Sequence, residues 1–143
     1  MSIVFTTGID VDATRDEVWE VLTDFDSYGE WSNFTSVDGT AHVGARLRMR
    51  MPGFRFTSTV ATAKPGHELR WVAKIISEGV FHGQHSFVLS AGDNGTTHVT
   101  NTEEFSGALT KPFERLFARS NRTDGYDEFN RALKQRVETR PRR

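Results

Sequence analysis

Residues 46–56 read Arg-Leu-Arg-Met-Arg-Met-Pro-Gly-Phe-Arg-Phe, so charged and apolar side chains alternate on both sides of a Pro-Gly pair. Alternation with a period of two sends successive side chains to opposite faces of a β-strand. A Pro-Gly pair favours a tight turn. The stretch therefore predicts a hairpin of two antiparallel strands, with one apolar face and one face that carries arginine.

The same period of two extends from about residue 41 to residue 107. Short breaks interrupt it at Pro65-Gly66, at Gly79 and at residues 92–95, which read Gly-Asp-Asn-Gly. Breaks at such regular intervals predict five strands joined by short turns, which is an antiparallel meander. One face of the predicted sheet is rich in rings and the other carries arginine and threonine, as expected of a sheet that is wetted on one side.

The turns also predict how the strands pair. Pairing across the last turn of the meander places His85 opposite Glu103, and the same pairing sets Phe87 opposite Asn101. Pairing across the preceding turn places Trp71 opposite His85. One inward row would then hold Trp71, His85 and Glu103, whereas a shift of one residue would turn both polar groups outward.

A strand and a short helix are predicted before the meander. Residues 3–11 alternate and are rich in β-branched side chains, which favours a strand. Thr14 and Glu17 fit a capping box, in which each side chain bonds the backbone amide of the other residue. Apolar residues at helical spacing follow, so residues 14–24 are predicted to form an amphipathic helix. Residues 26–34 are more polar and predict one helical turn followed by a loop.

A long helix is predicted after the meander. Pro112 suits a first helical turn, and one broad apolar stripe follows it. The stripe consists of Phe113, Leu116, Phe117, Phe129, Leu133 and Val137. Gly125 lies within its polar middle, where a glycine inside a helix costs about 1 kcal/mol, and it predicts a kink or an exposed turn. Residues 139–143 are predicted to fray, which leaves a single domain over residues 1–138.

This order of elements predicts an α+β fold: a strongly curved antiparallel sheet of about six strands wraps around the long C-terminal helix, with short helices after the first strand. A helix is about 10–12 Å across, too narrow to fill a wide concave face. A pocket between sheet and helix is therefore the expected ligand site. The residues expected to line it are Trp31, Phe34, Met49, Met51, Phe54, Phe56, Trp71, Phe81, Phe87, Asn101, Phe105, Phe113 and Phe117.

Three segments of the chain stand in an order typical of one known superfamily. They are Ile9-Asp10-Val11-Asp12-Ala13-Thr14 with Val18-Trp19, Leu69-Arg70-Trp71 with Phe81-His82-Gly83-Gln84-His85-Ser86-Phe87, and Glu104-Phe105-Ser106-Gly107 with Phe129-Asn130-Arg131-Ala132-Leu133-Lys134. The set resembles the SRPBCC superfamily of START-like, helix-grip proteins, which includes polyketide cyclase-like and lipid-transfer proteins. The resemblance implies the helix-grip (START/Bet v1-like) fold, but no single activity, because the superfamily spans binders, transporters, cyclases and co-chaperones.

The composition argues against several classes of protein. Phe occurs 11 times in a chain that is only 36% hydrophobic, so rings supply much of the core. The formal net charge of −1 argues against a general nucleic-acid binder. The chain has no Cys, which excludes thiolate metal sites and predicts a reducing, cytoplasmic location. No apolar run approaches about 18 residues and no signal pattern is present, so we expect neither stable membrane insertion nor secretion.

Charge is distributed unevenly along the chain. Residues 1–45 hold nine acids and one base, whereas residues 108–143 hold ten bases and five acids. The simplest interpretation is that the two ends attract each other or form solvated faces, with an acidic partner as the alternative. The outer face of the predicted hairpin carries Arg46, Arg48, Arg50 and Arg55. We interpret these arginines as a solvated face that discourages association between sheets, with anionic lipid or a second subunit as the alternative.

Among the polar residues, His85 and Glu103 carry the clearest chemical hypothesis. In a cyclase-type site His85 could take a proton from an acidic carbon while Glu103 fixes the tautomer of the imidazole. The alternative is a satisfied polar pair that lines a pocket or lies at the sheet rim. The other histidines fall at turns or on the outward face without a recognised ligand spacing, so we predict no metal and no cofactor.

Three hypotheses of function, from different classes, are consistent with these features. The first is binding or transport of a small hydrophobic ligand that is aromatic, polycyclic or lipid-like. The second is a cofactor-free polyketide cyclase or dehydratase that uses His85 and Glu103. The third, by resemblance to the Hsp90 ATPase activators of the same superfamily, is a protein-interaction module. A cavity favours the first two, and whether the chain is a monomer or a homodimer stays open.

Overall fold

The computed structural model describes residues 2–74, 82–107 and 124–140. Within these residues there are seven strands and three α-helices, and the elements that the sequence predicted follow one another in the predicted order. The elements are β1 (Ser2–Val11), α1 (Arg15–Thr23), α2 (Tyr28–Trp31), β2 (Ser36–Asp38), β3 (Arg46–Met51), β4 (Phe54–Lys64), β5 (Glu68–Lys74), β6 (His82–Ala91), β7 (Thr97–Ser106) and α3 (Asp124–Thr139). One 3₁₀ turn, Phe25–Ser27, links α1 to α2.

The described strands form one antiparallel sheet in the order β1-β7-β6-β5-β4-β3-β2. The predicted meander from β3 to β7 is confirmed, and β1 returns to pair with β7 from Ser2 opposite Ser106 to Val11 opposite Thr97. Ser36–Asp38 adds β2 beside β3, which makes the sheet one strand wider than the expected six. Three residues are too few to show a period of two, so the sequence indicated only a loop there.

The predicted register of the central strands is confirmed. His85 of β6 lies opposite Glu103 of β7 and opposite Trp71 of β5. Phe87 lies opposite Asn101. The second, fourth, sixth and eighth residues of β6 are buried, as expected where alternate side chains face the core. The polar pair is therefore on the inner face of the sheet.

The predicted capping box begins α1. The Thr14 hydroxyl accepts a hydrogen bond from the Glu17 amide at 3.2 Å, and the Glu17 carboxylate accepts one from the Thr14 amide at 3.0 Å. These bonds satisfy two amides that the first helical turn leaves unpaired. The apolar face of α1 then packs into the core through Val18, Val21 and Leu22.

The helix α3 packs across the inner face of the sheet. Three residues of the predicted stripe, Phe129, Leu133 and Val137, are buried there. The other members of the stripe, Phe113, Leu116 and Phe117, lie outside the described residues, as does Pro112. Gly125 is exposed in the first turn of α3. The helix includes Thr139, so fraying stays a prediction for the residues that follow it.

Ion pairs join the basic end of the chain to its acidic beginning. Arg136 of α3 binds Glu30 of α2 at 3.0 Å, and Arg140 binds Glu20 of α1 at 3.3 Å. The interpretation that the two ends attract each other is consistent with these contacts. Because all four side chains are partly exposed, each pair contributes only about 0.2–1 kcal/mol.

Tyr28 is the largest of the fully buried side chains that the structure describes. Its ring packs against Trp31 and Phe129, and its hydroxyl donates a hydrogen bond to the carbonyl of Leu22. Burial, assisted by the nearby Asp24 carboxylate, raises the pKa of Tyr28 well above its ordinary value. The folded chain therefore keeps the phenol proton at a pH where the unfolded chain releases it.

Replacing Tyr28 with Phe should lower the free energy of unfolding by about 1 kcal/mol at neutral pH, because the Leu22 carbonyl loses its donor. Above pH 10.0, the ordinary pKa of the phenol, wild-type stability should fall, since only the unfolded state ionises. The Phe variant has no phenol to ionise, so its stability should not fall for this reason. The stabilities of the variant and the wild type should therefore converge as the pH rises. Urea denaturation at neutral and alkaline pH measures the difference, and a constant difference would contradict the assignment.

Candidate functional site

A pocket of about 750 Å³ lies between the sheet and the first turns of α3. Strands β3 to β7 form one wall, and the loop after α2 together with α3 forms the other. The described residues that line it are Asn33, Phe34, Met51, Phe54, Arg55, Phe56, Thr57, Trp71, Ala73, Lys74, Gly83, His85, Glu103, Phe105, Gly125, Tyr126 and Phe129. The pocket is therefore where the order of elements predicted it.

Many of the residues expected at the site come together around this pocket. They are Phe34, Met51, Phe54, Phe56, Trp71, His85, Glu103 and Phe105. The rings of Phe54 and Phe56 stack, with centroids 5.7 Å apart and 19° between their planes. Phe54 remains 58% exposed, which places it at the rim of the pocket.

Four other expected residues lie behind the pocket wall and do not line it. Met49 and Phe87 are buried in the core, where the ring of Phe129 covers Phe87 at 5.3 Å. Trp31 packs against Phe129 at 5.2 Å, and Asn101 is buried among other polar groups. Alternation predicts the face of a strand but not the depth at which a helix covers it. The remaining candidates, Phe81, Phe113 and Phe117, lie outside the described residues.

Tyr126 lines the pocket, and its spacing could have predicted this. It stands three residues before Phe129 and therefore shares that face of α3. Its ring lies 5.7 Å from the imidazole of His85 and stacks on Phe5 at 5.9 Å. The other lining residues that the sequence did not single out for the site are Asn33, Arg55, Thr57, Ala73, Lys74, Gly83, Gly125 and Phe129. Most of these are small or lie on an outward position or in a loop, so their sequence pattern carries no such signal.

Aromatic rings hold His85 in the wall of the pocket. Its imidazole stacks on Phe87, with centroids 4.7 Å apart and 19° between the planes. Trp71 on the neighbouring strand lies 5.2 Å away, and Tyr126 approaches edge-on at 5.7 Å. Only 9% of His85 is exposed. The packing therefore fixes the plane of the imidazole.

A chain of hydrogen bonds, buried as far as Asn130, leads from His85 to strand β1. His85 Nε2 lies 2.6 Å from Asn101 Oδ1, the Asn101 amide donates to Asn130 Oδ1 at 2.9 Å, and the Asn130 amide donates to the Thr7 hydroxyl at 2.8 Å. Asn101 and Asn130 are each 1% exposed. Because Asn101 directs its N–H toward Asn130, its oxygen faces the imidazole and accepts. His85 Nε2 therefore carries a proton in this arrangement.

Glu103 faces the other nitrogen of His85. Glu103 Oε1 lies 3.5 Å from His85 Nδ1, and the carboxylate side chain is 15% exposed. This separation is longer than a good hydrogen bond. The sequence predicted that Glu103 fixes the imidazole tautomer, but the shorter contact to Asn101 does so instead. Nδ1 is left as the nitrogen that can accept a proton, and the adjacent carboxylate would stabilise the resulting imidazolium.

Gly83 makes room for Phe105 and Glu103 at this end of the pocket. A Cβ at position 83 would lie 3.2 Å from the ring of Phe105, which is opposite Gly83 in the register, and 3.8 Å from Glu103 Oε2. Any larger residue would push the Phe105 ring aside. The absence of a side chain at position 83 therefore allows the Phe105 ring to lie in its place in the lining of the pocket.

Polar groups elsewhere in the described chain do not form a second centre of this kind. Across residues 2–74, 82–107 and 124–140, no three His, Cys, Asp or Glu side chains are grouped so that they could hold a metal ion. His42 and His67 are exposed, and His98 pairs with Asp10 at 2.7 Å.

None of the helices described is long and apolar enough to cross a membrane.

The fold and the pocket define a class of protein. A curved antiparallel sheet that grips a C-terminal helix above a pocket is the helix-grip, or Bet v1-like, fold. The family model for polyketide cyclase/dehydrase and lipid transport matches residues 2–138. The chain therefore belongs to this family, within the SRPBCC superfamily.

Solved structures from several organisms share the fold. Norcoclaurine synthase from Thalictrum flavum, in complex with dopamine and hydroxybenzaldehyde, is 13% identical with a TM-score of 0.75, over 99% of this chain and 90% of that one. The Aha1 dimer from Colwellia psychrerythraea is 20% identical with a TM-score of 0.73, over 96% of this chain and 97% of that one. At these identities the likeness is one of fold. No curated protein sequence matches the chain significantly.

Replacing Asn130 with Leu should lower the free energy of unfolding by about 2–3 kcal/mol, because it leaves the buried Asn101 amide without an acceptor and removes the donor to Thr7. Thr7→Val is the matched control at the end of the chain of bonds. It removes one hydroxyl and should cost about 1 kcal/mol. Urea denaturation measures both variants, and a smaller loss for N130L than for T7V would contradict the connectivity.

Proposed function

We propose that the chain binds a small, flat hydrophobic ligand in the pocket between the sheet and α3. The observation that carries this proposal is a pocket of about 750 Å³ with eight rings among its described lining residues. Ligand pockets typically measure about 300–1,000 Å³. Rings favour flat ligands, because each well-placed ring pair adds about 0.5–1.5 kcal/mol beyond the burial of area. The expected ligand class is therefore aromatic, polycyclic or lipid-like.

A few polar groups would orient such a ligand. His85 and Glu103 lie side by side on β6 and β7, and Asn33 lies on the loop after α2. The Asn33 amide donates to the carbonyl of Gly125 at 3.1 Å, whereas its buried oxygen has no hydrogen-bond partner among the described residues. A buried oxygen without a donor costs free energy. Because that oxygen has almost no accessible surface, it cannot bond a ligand in the pocket, and Asn33 is assigned only as a lining residue.

The comparisons support a ligand-binding function more than an interaction module. The family covers polyketide cyclases, dehydrases and lipid transport, and norcoclaurine synthase holds dopamine and hydroxybenzaldehyde on the same fold. Phe34 is buried and the half-buried Trp31 packs against Phe129, so these two rings leave little aromatic surface for a partner protein. We therefore place a ligand, rather than a partner protein, at the centre of the proposal.

Titration calorimetry with 2-naphthol, a flat apolar probe, should detect binding to the wild-type chain. Phe56→Ala removes a lining ring and should weaken binding about tenfold. Gly83→Ala should also weaken it, because the added methyl group displaces the Phe105 ring, which lines the pocket. Val88→Ala lies on the outer face of β6 and is the matched control, which should bind as the wild type does.

Protein purified from its own host should carry a small molecule that native mass spectrometry detects. The proposal predicts that hydrophobic aromatic compounds raise the Tm of the wild-type chain. If no small molecule co-purifies and a panel of such compounds leaves the Tm unchanged, ligand binding is not the function.

The geometry of His85 favours one second function, a cofactor-free enzyme of the cyclase or dehydratase type. With Nε2 bonded to Asn101, Nδ1 can accept a proton from an acidic carbon of the bound ligand. The C–H bond breaks, an N–H bond forms, and the electron pair stays on the ligand as an enolate. Glu103 at 3.5 Å stabilises the imidazolium, which then donates the proton to the ligand oxygen that leaves as water in a dehydration or that becomes a hydroxyl in a ring closure.

Exchange of the acidic hydrogens of 2-tetralone in D₂O, followed by NMR, tests this second function. Wild-type protein should accelerate the exchange over buffer, and His85→Gln should lower the rate by about 100-fold or more. Asn101→Leu should slow the exchange and, in ¹⁵N spectra, remove the preference for the Nε2–H tautomer. V88A should behave as the wild type. A chain that binds 2-tetralone without accelerating exchange is a binding protein and not this enzyme.

A further inference from the structure

Four arginines form an exposed row on the outer face of β3 and β4. This arginine ladder consists of Arg46, Arg48, Arg50 and Arg55. All four are exposed, and none of them forms an ion pair or a side-chain hydrogen bond with any residue that the structure describes. Asp38 of β2 lies opposite Arg48 and offsets part of this charge, so the positive charge without an acidic cross-strand neighbour is concentrated at Arg50 and Arg55 beside the hairpin turn.

Two members of the ladder face each other directly. Arg50 on β3 lies opposite Arg55 on β4. Like charges in directly opposite positions destabilise a pair of strands. The stability of the hairpin therefore does not explain why two arginines stand opposite each other. The residues opposite the other two arginines on β4 are threonines, which add hydroxyl donors to the same face. Guanidinium and hydroxyl groups together suit an anionic partner, above all a phosphate.

An apolar ring projects beside this pair of arginines. Phe54 follows the Pro52-Gly53 turn, is 58% exposed and stacks on Phe56. A surface depression of about 270 Å³ at the same place is lined by Thr35, Arg50, Met51, Phe54 and Arg55. Three of these residues, Met51, Phe54 and Arg55, also line the larger pocket. The depression and the ligand pocket therefore share a rim.

We propose that the tip of the β3–β4 hairpin docks on the surface of an anionic lipid membrane. Arg50 and Arg55 bind a lipid phosphate at the depression, and Phe54 enters the boundary between headgroups and acyl chains. A basic patch combined with an apolar anchor gives reversible binding that neither gives alone. The inference rests on the proposed function in one respect. A hydrophobic ligand of the pocket can pass between the bilayer and the pocket only where the rim of the pocket meets the membrane.

A second copy of this chain fits the ladder less well than a membrane does. The acids of the chain concentrate in its N-terminal region, where Glu20 and Glu30 already pair with Arg140 and Arg136. A bilayer that contains anionic lipid presents many phosphates, and each basic side chain near its surface adds to the attraction. An exposed phenylalanine that lines the same depression as two arginines also suits an interface where charged headgroups lie over apolar acyl chains.

Co-sedimentation of the full chain with lipid vesicles tests the proposal. The protein should bind vesicles of phosphatidylcholine with about 30% phosphatidylglycerol but not vesicles of phosphatidylcholine alone. Binding should weaken as salt rises from about 0.1 M to about 0.5 M. The double variant R50Q/R55Q should weaken partitioning about thirtyfold, and Phe54→Ser should weaken it about tenfold.

The double variant K64Q/R131Q is the matched control, since it removes the same charge from exposed positions away from the hairpin tip. It should bind anionic vesicles nearly as the wild type does. An equal loss in both double variants, or no binding of the wild type, would overturn the proposal. A dimer seen by analytical ultracentrifugation and abolished by R50Q/R55Q, with no vesicle binding, would make the ladder a subunit interface instead.

Binding of 2-naphthol by the same wild-type preparation separates this proposal from the proposed function. A chain that binds 2-naphthol but not anionic vesicles overturns the membrane surface and leaves the ligand pocket intact. A chain that binds anionic vesicles through Arg50 and Arg55 but no aromatic compound supports the membrane surface and overturns the ligand class.

Discussion

The register of β6 between β5 and β7 is the constraint on which the pocket depends. Successive residues of a strand face opposite ways, so a slip of one position would replace His85 by Gln84 or Ser86 on the inner face. Ten paired positions between β6 and β7 and seven between β5 and β6 hold the strands against such a slip. The row of Trp71, His85 and Glu103 is therefore a product of backbone pairing along the whole length of the strands. The helix above it then decides which members of that row remain accessible.

The parts of the fold that could be predicted are those with a local signal. Alternation identified the five strands of the meander, the turns fixed their register, and Thr14 with Glu17 marked the start of α1. The strand β2 was missed because Ser36–Asp38 is held by its neighbour Arg48–Arg50 and not by a pattern of its own. The aromatic packing of Tyr28 likewise joins residues that are distant in the chain, which no period reveals.

The sequence predicted the chemical groups of the candidate site, but only some of the residues that line it. The alternation of side chains along the strands placed His85 and Glu103 on the inner face. It treated Phe87 and Phe105 alike, although Phe129 covers Phe87 and leaves Phe105 to line the pocket. The depth of a side chain depends on where a helix crosses the sheet, and that position is a property of the packed structure. For the same reason the sequence did not show that Asn101 lies behind the pocket wall, since its partner Asn130 is on α3. A hydrogen bond between two such distant elements has no signature in either strand or helix alone.

The buried asparagines have a consequence for the imidazole that goes beyond its orientation. Each amide has a donor end and an acceptor end, so the succession from His85 through Asn101 and Asn130 to Thr7 has a polarity. Transfer of the proton from one ring nitrogen to the other would require both amides to invert together inside the core and the Thr7 hydroxyl to exchange acceptor for donor. The residues of α3 and of the edge strand β1 thus fix the tautomer of His85 together. Displacement of α3 from the sheet would break the Asn101–Asn130 bond and so remove the constraint on the Asn101 amide that sets the tautomer of His85.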